Sequence, residues 1–151
     1  MASEAGGLTG GCQCGAVRYR LDAEPAGSNI CHCRMCQKAG GAPFMAFAGA
    51  TLSTLKWTRG APKMFASSDF AERGFCADCG TPLTYRAIGH DRIAVTIGSL
   101  DKAGDVAPLK QFGVESKLPW IDAISGLPVR DFTASLGGKR IHSHQHPDHD
   151  S

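Results

Sequence analysis

Three of the seven cysteines in this 151-residue chain fall within six residues. Cys31, Cys33 and Cys36 form a Cys-x-Cys-x-x-Cys pattern, in which a loop wrapped around one point can aim three thiolates at a soft cation. Zinc favours a tetrahedron of nitrogen and sulfur ligands, with four protein ligands in structural sites and one open position in catalytic sites. Three cysteines without an evident fourth ligand therefore predict an open zinc site.

The other four cysteines form two pairs, Cys12 with Cys14 and Cys76 with Cys79. The second pair has the spacing of a zinc knuckle, and Gly80 after it can adopt the positive φ that a tight turn often needs. The two pairs together predict a closed four-sulfur site. All seven cysteines are then used, although other partitions of the seven are possible.

Disulfides and inert buried cysteines are the alternatives to metal binding. Cysteine is often buried simply as a small hydrophobic residue, but three tight clusters fit that use poorly. An odd count of seven cannot close as disulfides alone. The spacing of the cysteines therefore favours metal binding.

The sulfur-rich composition of the open site indicates its chemistry. Three thiolates on one Zn²⁺ leave a net charge of about −1, which weakens the acidification of a bound water and makes hydrolysis a poor first guess. Such a centre is better suited to hold an external thiol as its nucleophilic thiolate, or to bind and release a carbon–sulfur adduct.

The elements that must position these clusters are predicted to be short strands, because 19 glycines and 8 prolines signal many turns. Residues 16–21 alternate, with Val17, Tyr19 and Leu21 on one face and Arg18 and Arg20 on the other. Residues 37–42 are predicted to form one helical turn or a loop. Further strands are predicted at residues 43–48, 52–57, 63–66, 72–75, 82–86, 92–97 and 109–115. The fold class is therefore mainly β.

Smaller details of this pattern can also be predicted. Phe112 and Val114 are expected to point inward, and the aromatics of 43–48 are expected to be ordinary core in preference to lining a pocket. The apolar residues 117–121, around Trp120, are expected either to plug the core or to wall a site.

Length and composition indicate one soluble globular domain, predicted at residues 10–136 between a flexible leader (1–9) and a disordered histidine-rich tail (137–151). The formal charge of +2 falls to about −1 once seven thiolates and two Zn²⁺ are counted, and no basic patch suggests nucleic acid. Neither a signal peptide nor a membrane-spanning stretch is evident, so we expect a cytoplasmic protein. The tail histidines can grip a metal, but an unbound tail is the simpler expectation.

With these clusters in place, the chain resembles the glutathione-dependent formaldehyde-activating enzyme family, which also includes centromere protein V. The resemblance covers about residues 10 to 130. It rests on GCQCGAV at residues 11–17, CHCRMC at 31–36, FCADCGTPL at 75–83, GSLD at 98–101 and the late Trp120. The histidine-rich tail departs from the family pattern.

The resemblance implies a compact β-tent fold of short antiparallel strands with two zincs per chain. It implies a structural zinc at Cys12, Cys14, Cys76 and Cys79, and a catalytic zinc at Cys31, Cys33 and Cys36. The implied activity is that of a carbon–sulfur lyase of the S-(hydroxymethyl)glutathione synthase type, which joins formaldehyde to glutathione. The implied partner is a small glutathione-like thiol.

Residues beside the open site give weaker signals. His32 is expected to turn away from the metal, and Arg34, Lys38 and Lys117 could meet the carboxylates of a glutathione-like ligand, although basic surface residues are usually just solvated. A second hypothesis is a non-catalytic binding module stapled by two structural zincs, with a histidine completing the second site. An exchangeable ligand on the metal would separate the two.

Overall fold

The computed structural model describes residues 7–150, so the first six residues of the predicted leader lie outside the described part. The strands are β1 Thr9–Gly11, β2 Arg18–Leu21, β3 Ser28–Cys31, β4 Met45–Thr51, β5 Leu55–Arg59, β6 Lys63–Ala66, β7 Ala71–Phe75, β8 Pro82–Ala87, β9 Arg92–Thr96 and β10 Lys110–Phe112. The helices are α1 Arg34–Gly40 and α2 Phe132–Ser135, with 3₁₀ segments at Ile97–Ser99, Ala103–Asp105, Val114–Ser116 and Ile121–Gly126.

The strands form two sheets. The smaller has the order β1-β2-β5, and the larger has the order β10-β3-β4-β9-β8-β7-β6. Neighbouring strands run antiparallel, except that β10 lies parallel to β3 and places Phe112 opposite Cys31. The long connection from β9 makes this parallel pairing possible. The prediction of a mainly β fold is confirmed.

The main core lies between the two sheets. Tyr19 and Leu21 of β2 are fully buried there, packed with Ala48 of β4 and Val95 of β9. Side chains alternate between the faces of a strand, so the intervening residues lie on the opposite face. Met45 and Phe47 of β4 form a second, smaller core cluster with Cys36, against which Cys31, Cys33, Tyr85 and Ala94 pack. The three-cysteine cluster therefore lies on the face of the large sheet that points away from the main core.

Most of the predicted strands are present, and Ile93, Val95 and Ile97, which alternate within the predicted strand 92–97, are all buried. Two strands were missed, β1 and β3, because glycines in β1 and turn residues before β3 favour loops. β5 and β6, consecutive in the chain, pair in different sheets.

Two side-chain predictions are wrong. Phe112 and Val114 were expected inside but are about half exposed. Phe112 lies in the three-residue edge strand β10, and Val114 begins the 3₁₀ segment after it. Arg18, expected on the face opposite Val17, Tyr19 and Leu21, is not part of their core cluster but is nevertheless buried, with 2% of its surface exposed.

The C-terminal part contains few regular elements. Trp120 is half exposed and belongs to neither core cluster. The backbone N–H of His146 donates to Gln13 O at 2.7 Å, and His149 O accepts from Arg18 at 2.9 Å. The domain bounds and the disorder of the tail stay predictions. Within residues 7–150, no helix has the length and apolar character needed to cross a membrane.

Candidate metal centres

Two separated segments bring four sulfurs together. Cys12 and Cys14 lie in the loop between β1 and β2, and Cys76 and Cys79 lie in the turn between β7 and β8. Their Sγ atoms all lie within 4.8 Å of one another, with 3.6 Å between Cys12 and Cys14 and 3.8 Å between Cys14 and Cys76. A tetrahedral zinc with Zn–S bonds of about 2.3 Å needs sulfurs about 3.8 Å apart, so these four side chains fit one.

Backbone turns fix the two pairs. In the β7–β8 turn, Gly80 N donates to Cys76 O at 2.9 Å, and Gly80 has a φ of 78° that a side chain would strain. In the β1–β2 loop, Val17 N donates to Cys12 Sγ at 3.2 Å. An N–H aimed at sulfur stabilises the thiolate, which is the form that binds metal.

The four thiols differ in burial and acidity. Cys12 and Cys76 are buried in the main core, whereas Cys14 and Cys79 are exposed. Burial works against ionisation of Cys79, but hydrogen bonds from the Thr81 hydroxyl and backbone, with others, lower its pKa to about 6. A backbone hydrogen bond from Ala16 favours the Cys14 thiolate, yet burial and the neighbouring thiols raise the Cys14 pKa to about 12. Crowded thiols of this kind cannot all ionise without a cation among them.

The three-cysteine cluster is built by the end of a strand and the start of a helix. Cys31 is the last residue of β3, Cys33 is the N-cap of α1 and Cys36 lies in its first turn. Cys36 N donates to Cys33 Sγ at 3.4 Å, and the three Sγ atoms lie within 4.8 Å of one another. Of the two alternatives predicted for residues 37–42, a helical turn or a loop, the helical turn is present as the second half of a helix that begins inside the cysteine motif. The cysteine N-cap explains that early start.

Ionisation of the cluster is uneven. Burial raises the pKa of Cys31, and it raises that of Cys36 to about 12 despite a hydrogen bond from Arg73. Burial opposes ionisation of Cys33 as well, but backbone and thiol hydrogen bonds and the nearby charge of Arg73 lower its pKa. Cys33 is therefore the member best prepared to be a thiolate.

No histidine completes this cluster within residues 7–150, where the grouped ligand atoms are the three sulfurs alone. His32 is buried, with Nε2 at 2.8 Å from Gln111 Oε1 and its ring edge-on to Phe44 at 5.6 Å. It therefore ties the cysteine loop to β10 and is not grouped with the sulfurs, as expected for a residue between two ligands.

The basic residues considered from sequence are engaged elsewhere or lie on the surface. Arg34 donates to Gln37 Oε1 at 2.8 Å, and Lys117 donates to Asp122 Oδ1 at 2.6 Å. Lys38 is exposed on α1.

Two residues beside the cluster were missed from sequence, Arg73 of β7 and Tyr85 of β8. They are partners in the strand register, and the Arg73 guanidinium lies 5.0 Å from the centre of the Tyr85 ring. Arg73 Nη2 donates to Cys36 Sγ at 3.4 Å. The available signal was the position of Arg73, three residues before Cys76 on a strand that leads into a metal turn.

An open cleft of about 330 Å³ lies along strands of the large sheet, with Tyr85 and Ala94 between it and the cluster. Tyr85 and Ala94, which pack against the cysteines, also form part of its wall. Phe112, opposite Cys31 in the register, contributes an aromatic side chain, while Arg92 and Lys110 supply exposed cations. Tyr85 and Ala94 thus connect the cysteine cluster with a cleft whose wall carries positive charge.

The chain is similar to known proteins in sequence and in fold. A curated protein of Schizosaccharomyces pombe, named as an uncharacterised lyase, is 37% identical over 76 residues, which are 50% of this chain and 55% of that protein. The chain thus matches about half the length of this relative. A crystal structure of a Rhodobacter sphaeroides protein shares the fold, with a TM-score of 0.53 and 23% identity over 68% of this chain and 98% of that one. The family model for the glutathione-dependent formaldehyde-activating enzyme matches residues 7–116. The chain therefore belongs to the glutathione-dependent formaldehyde-activating enzyme family.

Proposed function

We propose that this protein is a zinc-dependent carbon–sulfur lyase that forms and cleaves the adduct between a glutathione-like thiol and formaldehyde. One observation carries the proposal: three sulfurs are clustered, and no fourth metal-binding side chain joins them in the described residues. Tyr85 and Ala94, which pack against these cysteines, also line an open cleft. Family membership and the lyase-named relative support an enzyme of this class.

The two cysteine clusters have different roles in this proposal. Cys12, Cys14, Cys76 and Cys79 hold one zinc that staples the β1–β2 loop to the β7–β8 turn. Cys31, Cys33 and Cys36 would hold a second zinc, which would accept an external thiol as a further ligand and keep it ionised and nucleophilic.

The residues around the cleft bind and orient the thiol. Tyr85 lines the cleft and packs against the cysteines, where its ring, 6.0 Å from that of the buried Phe47, keeps water from the reacting sulfur. Arg92 and Lys110 offer charges that complement the carboxylates of a glutathione-like molecule. This cleft and its cations, in place of Arg34, Lys38 and Lys117, are the proposed binding site.

The reaction balances without any further reagent. In the forward direction the thiol sulfur forms a bond to the carbon of formaldehyde, the carbonyl π pair moves to oxygen, and the proton lost by the thiol is returned to that oxygen. The reverse sequence breaks the carbon–sulfur bond and releases both reactants, which is the lyase direction.

The alternative, a binding module with two structural zincs, requires a histidine or another side chain as the fourth ligand of the second site. Within residues 7–150, no histidine is grouped with Cys31, Cys33 and Cys36. The structure thus offers this alternative no specific support.

The test is the rate at which glutathione and formaldehyde interconvert with their adduct, measured by NMR magnetisation exchange on isotopically labelled formaldehyde. We expect wild-type protein to speed the exchange in proportion to its concentration. Cys33→Ser should abolish the effect, whereas Met35→Ser should preserve it, because Met35 is an exposed residue of the same loop outside the cluster. Exchange at the protein-free rate would reject formaldehyde–glutathione chemistry.

A further inference from the structure

Arg73 is a buried cation with an unusual set of neighbours. It is 7% exposed, and its Nε donates to Ser67 Oγ at 3.0 Å. Nη1 lies 3.7 Å from Met45 Sδ and Nη2 lies 3.4 Å from Cys36 Sγ, while the ring of Tyr85 faces the guanidinium. Every nitrogen of the guanidinium is thus directed at a different protein group.

The other buried arginine of the described chain, Arg18, shows what is missing at Arg73. Arg18 is paired with the carboxylate of Asp101, whereas no ion pair in residues 7–150 joins Arg73 to a carboxylate. A buried charge is costly unless an opposite charge compensates it. The three-cysteine cluster is the group next to Arg73 that can carry that negative charge.

The charges at the cluster explain what Arg73 can do there. Three thiolates with one divalent cation sum to −1, and a fourth thiolate would bring the sum to −2. The fixed positive charge of Arg73 offsets one unit of this negative charge. In a partly buried site, where charges interact strongly, this favours the binding of an anionic ligand. Because it does not alter the charge of a neutral ligand, its effect depends on the charge of the ligand.

We propose that Arg73 is a positioning residue whose buried charge balances the three thiolates and lets a fourth, anionic sulfur ligand bind in preference to a neutral one. The inference deepens the proposed function and rests on it for the identity of the ligand. Arginine suits this role better than lysine, because the three nitrogens of its guanidinium contact Ser67, Met45 and Cys36 at once. These contacts hold the charge beside the Cys36 sulfur.

The experiment compares full-length, cobalt-loaded wild type with Arg73→Met, Arg73→Lys and a control, Arg86→Met. Arg86 lies on β8 and pairs with Glu72, so its loss removes a similar side chain without touching the cluster. Each protein is titrated with 2-mercaptoethanol, which binds as an anion and carries no other charge, and with imidazole, which binds neutral. Zinc affinity is measured separately by competition with a chelator.

The charge-balance account predicts a selective effect. Arg73→Met should lower the affinity for 2-mercaptoethanol about tenfold or more. It should lower the affinity for zinc about 10- to 100-fold, which is typical when a group that supports metal ligands is lost. Imidazole binding should stay close to wild type. Arg73→Lys should keep the preference for thiol over imidazole, and Arg86→Met should match wild type in every titration.

Other outcomes would overturn the inference. If Arg73→Met weakens the binding of thiol and of imidazole equally, Arg73 has only a structural role. If thiol binding is unchanged, the charge of Arg73 is irrelevant to it. If Arg73→Met does not fold, Arg73→Lys decides, and loss of the thiol preference there rejects the proposal. If wild type binds no thiol, the proposed function and the ligand preference both fail. Zinc affinity then tests only the charge balance of the three thiolates: a loss in Arg73→Met that Arg73→Lys restores supports it, and an unchanged affinity in Arg73→Met refutes it.

Discussion

Asp101 accepts two hydrogen bonds from the buried guanidinium of Arg18, at 2.8 and 2.5 Å. The pair joins β2 of the small sheet to the segment that follows β9 of the large one, and Thr9 Oγ1 also donates to Asp101. Two residues earlier, Ser99 Oγ shares a hydrogen bond with the hydroxyl of Tyr19 at 2.8 Å. The GSLD motif at residues 98–101 therefore braces the two sheets, a structural role distinct from the cysteine chemistry.

Replacing Asp101 by asparagine should lower the free energy of unfolding by about 3 kcal/mol, because the change leaves the buried Arg18 charge without its partner. The matched control is Asp22→Asn, which breaks the Arg20–Asp22 pair, whose side chains are 47% and 37% exposed. That variant should lose less than about 1 kcal/mol. Chemical denaturation at fixed free zinc measures both, and equal losses would refute a special role for the buried pair.

The same pair predicts how stability depends on pH. Burial alone would raise the pKa of Asp101, but hydrogen bonds from Arg18 and Thr9 hold it below its usual value of 3.8. A carboxyl with a depressed folded pKa stabilises the protein above its unfolded pKa, and this contribution disappears as the pH falls through the folded pKa. The stability difference between wild type and Asp101→Asn should therefore be constant at neutral pH and shrink in acid below about pH 4. Denaturation curves at several pH values test this, and a difference independent of pH would contradict it.

The two cysteine clusters should respond differently to mutation. Cys76 is 1% exposed within the main core, so Cys76→Ser should unfold or strongly destabilise the protein by removing a structural zinc. Cys33 is half-buried and lies outside the main core, so Cys33→Ser should stay folded and lose one metal. Metal analysis combined with thermal unfolding distinguishes these results. Equal unfolding by both substitutions would show that the division into structural and catalytic sites is wrong.

Metal content should approach two zincs per chain in protein purified without added metal. The control replaces the tail histidines His142, His144, His146 and His149 with asparagine, and its zinc content should be the same because none of them joins a cysteine cluster. Elemental analysis provides the measurement. One zinc per chain at full stability would eliminate the second site.

Local sequence signals identified the cysteine clusters because each is compact in the chain, and spacing alone restricts its geometry. The short strands were recognisable for a similar reason, since Ile93, Val95 and Ile97 alternate within one segment. The features that could not be predicted from sequence depend on contacts between residues that are distant in the chain. Arg18 is paired with Asp101, 83 residues later, and an arginine in an alternating strand ordinarily faces solvent.

Arg73 was missed for the same physical reason. It contacts Cys36 across 37 residues, and only the antiparallel register of β7 with β8 places it beside Tyr85 and the cysteines. The open cleft likewise requires the parallel pairing of β10 with β3, which brings Phe112 and Lys110 beside Asn29 and Cys31. Nothing in residues 109–115 alone specifies a parallel neighbour.

The site of Cys31, Cys33 and Cys36 should have an exchangeable ligand position, and cobalt spectroscopy tests this directly. With cobalt at that site, glutathione should change the thiolate charge-transfer absorption saturably, and the change should weaken in acid because the thiol must lose its proton to bind. Cys33→Ser should lose this response and Met35→Ser should keep it. If thiol binds but formaldehyde is not turned over, the proposed enzyme class still holds and only formaldehyde is wrong as the carbonyl substrate. A spectrum that no small thiol alters, with a protein side chain found as the fourth ligand, would contradict the account and favour a binding module.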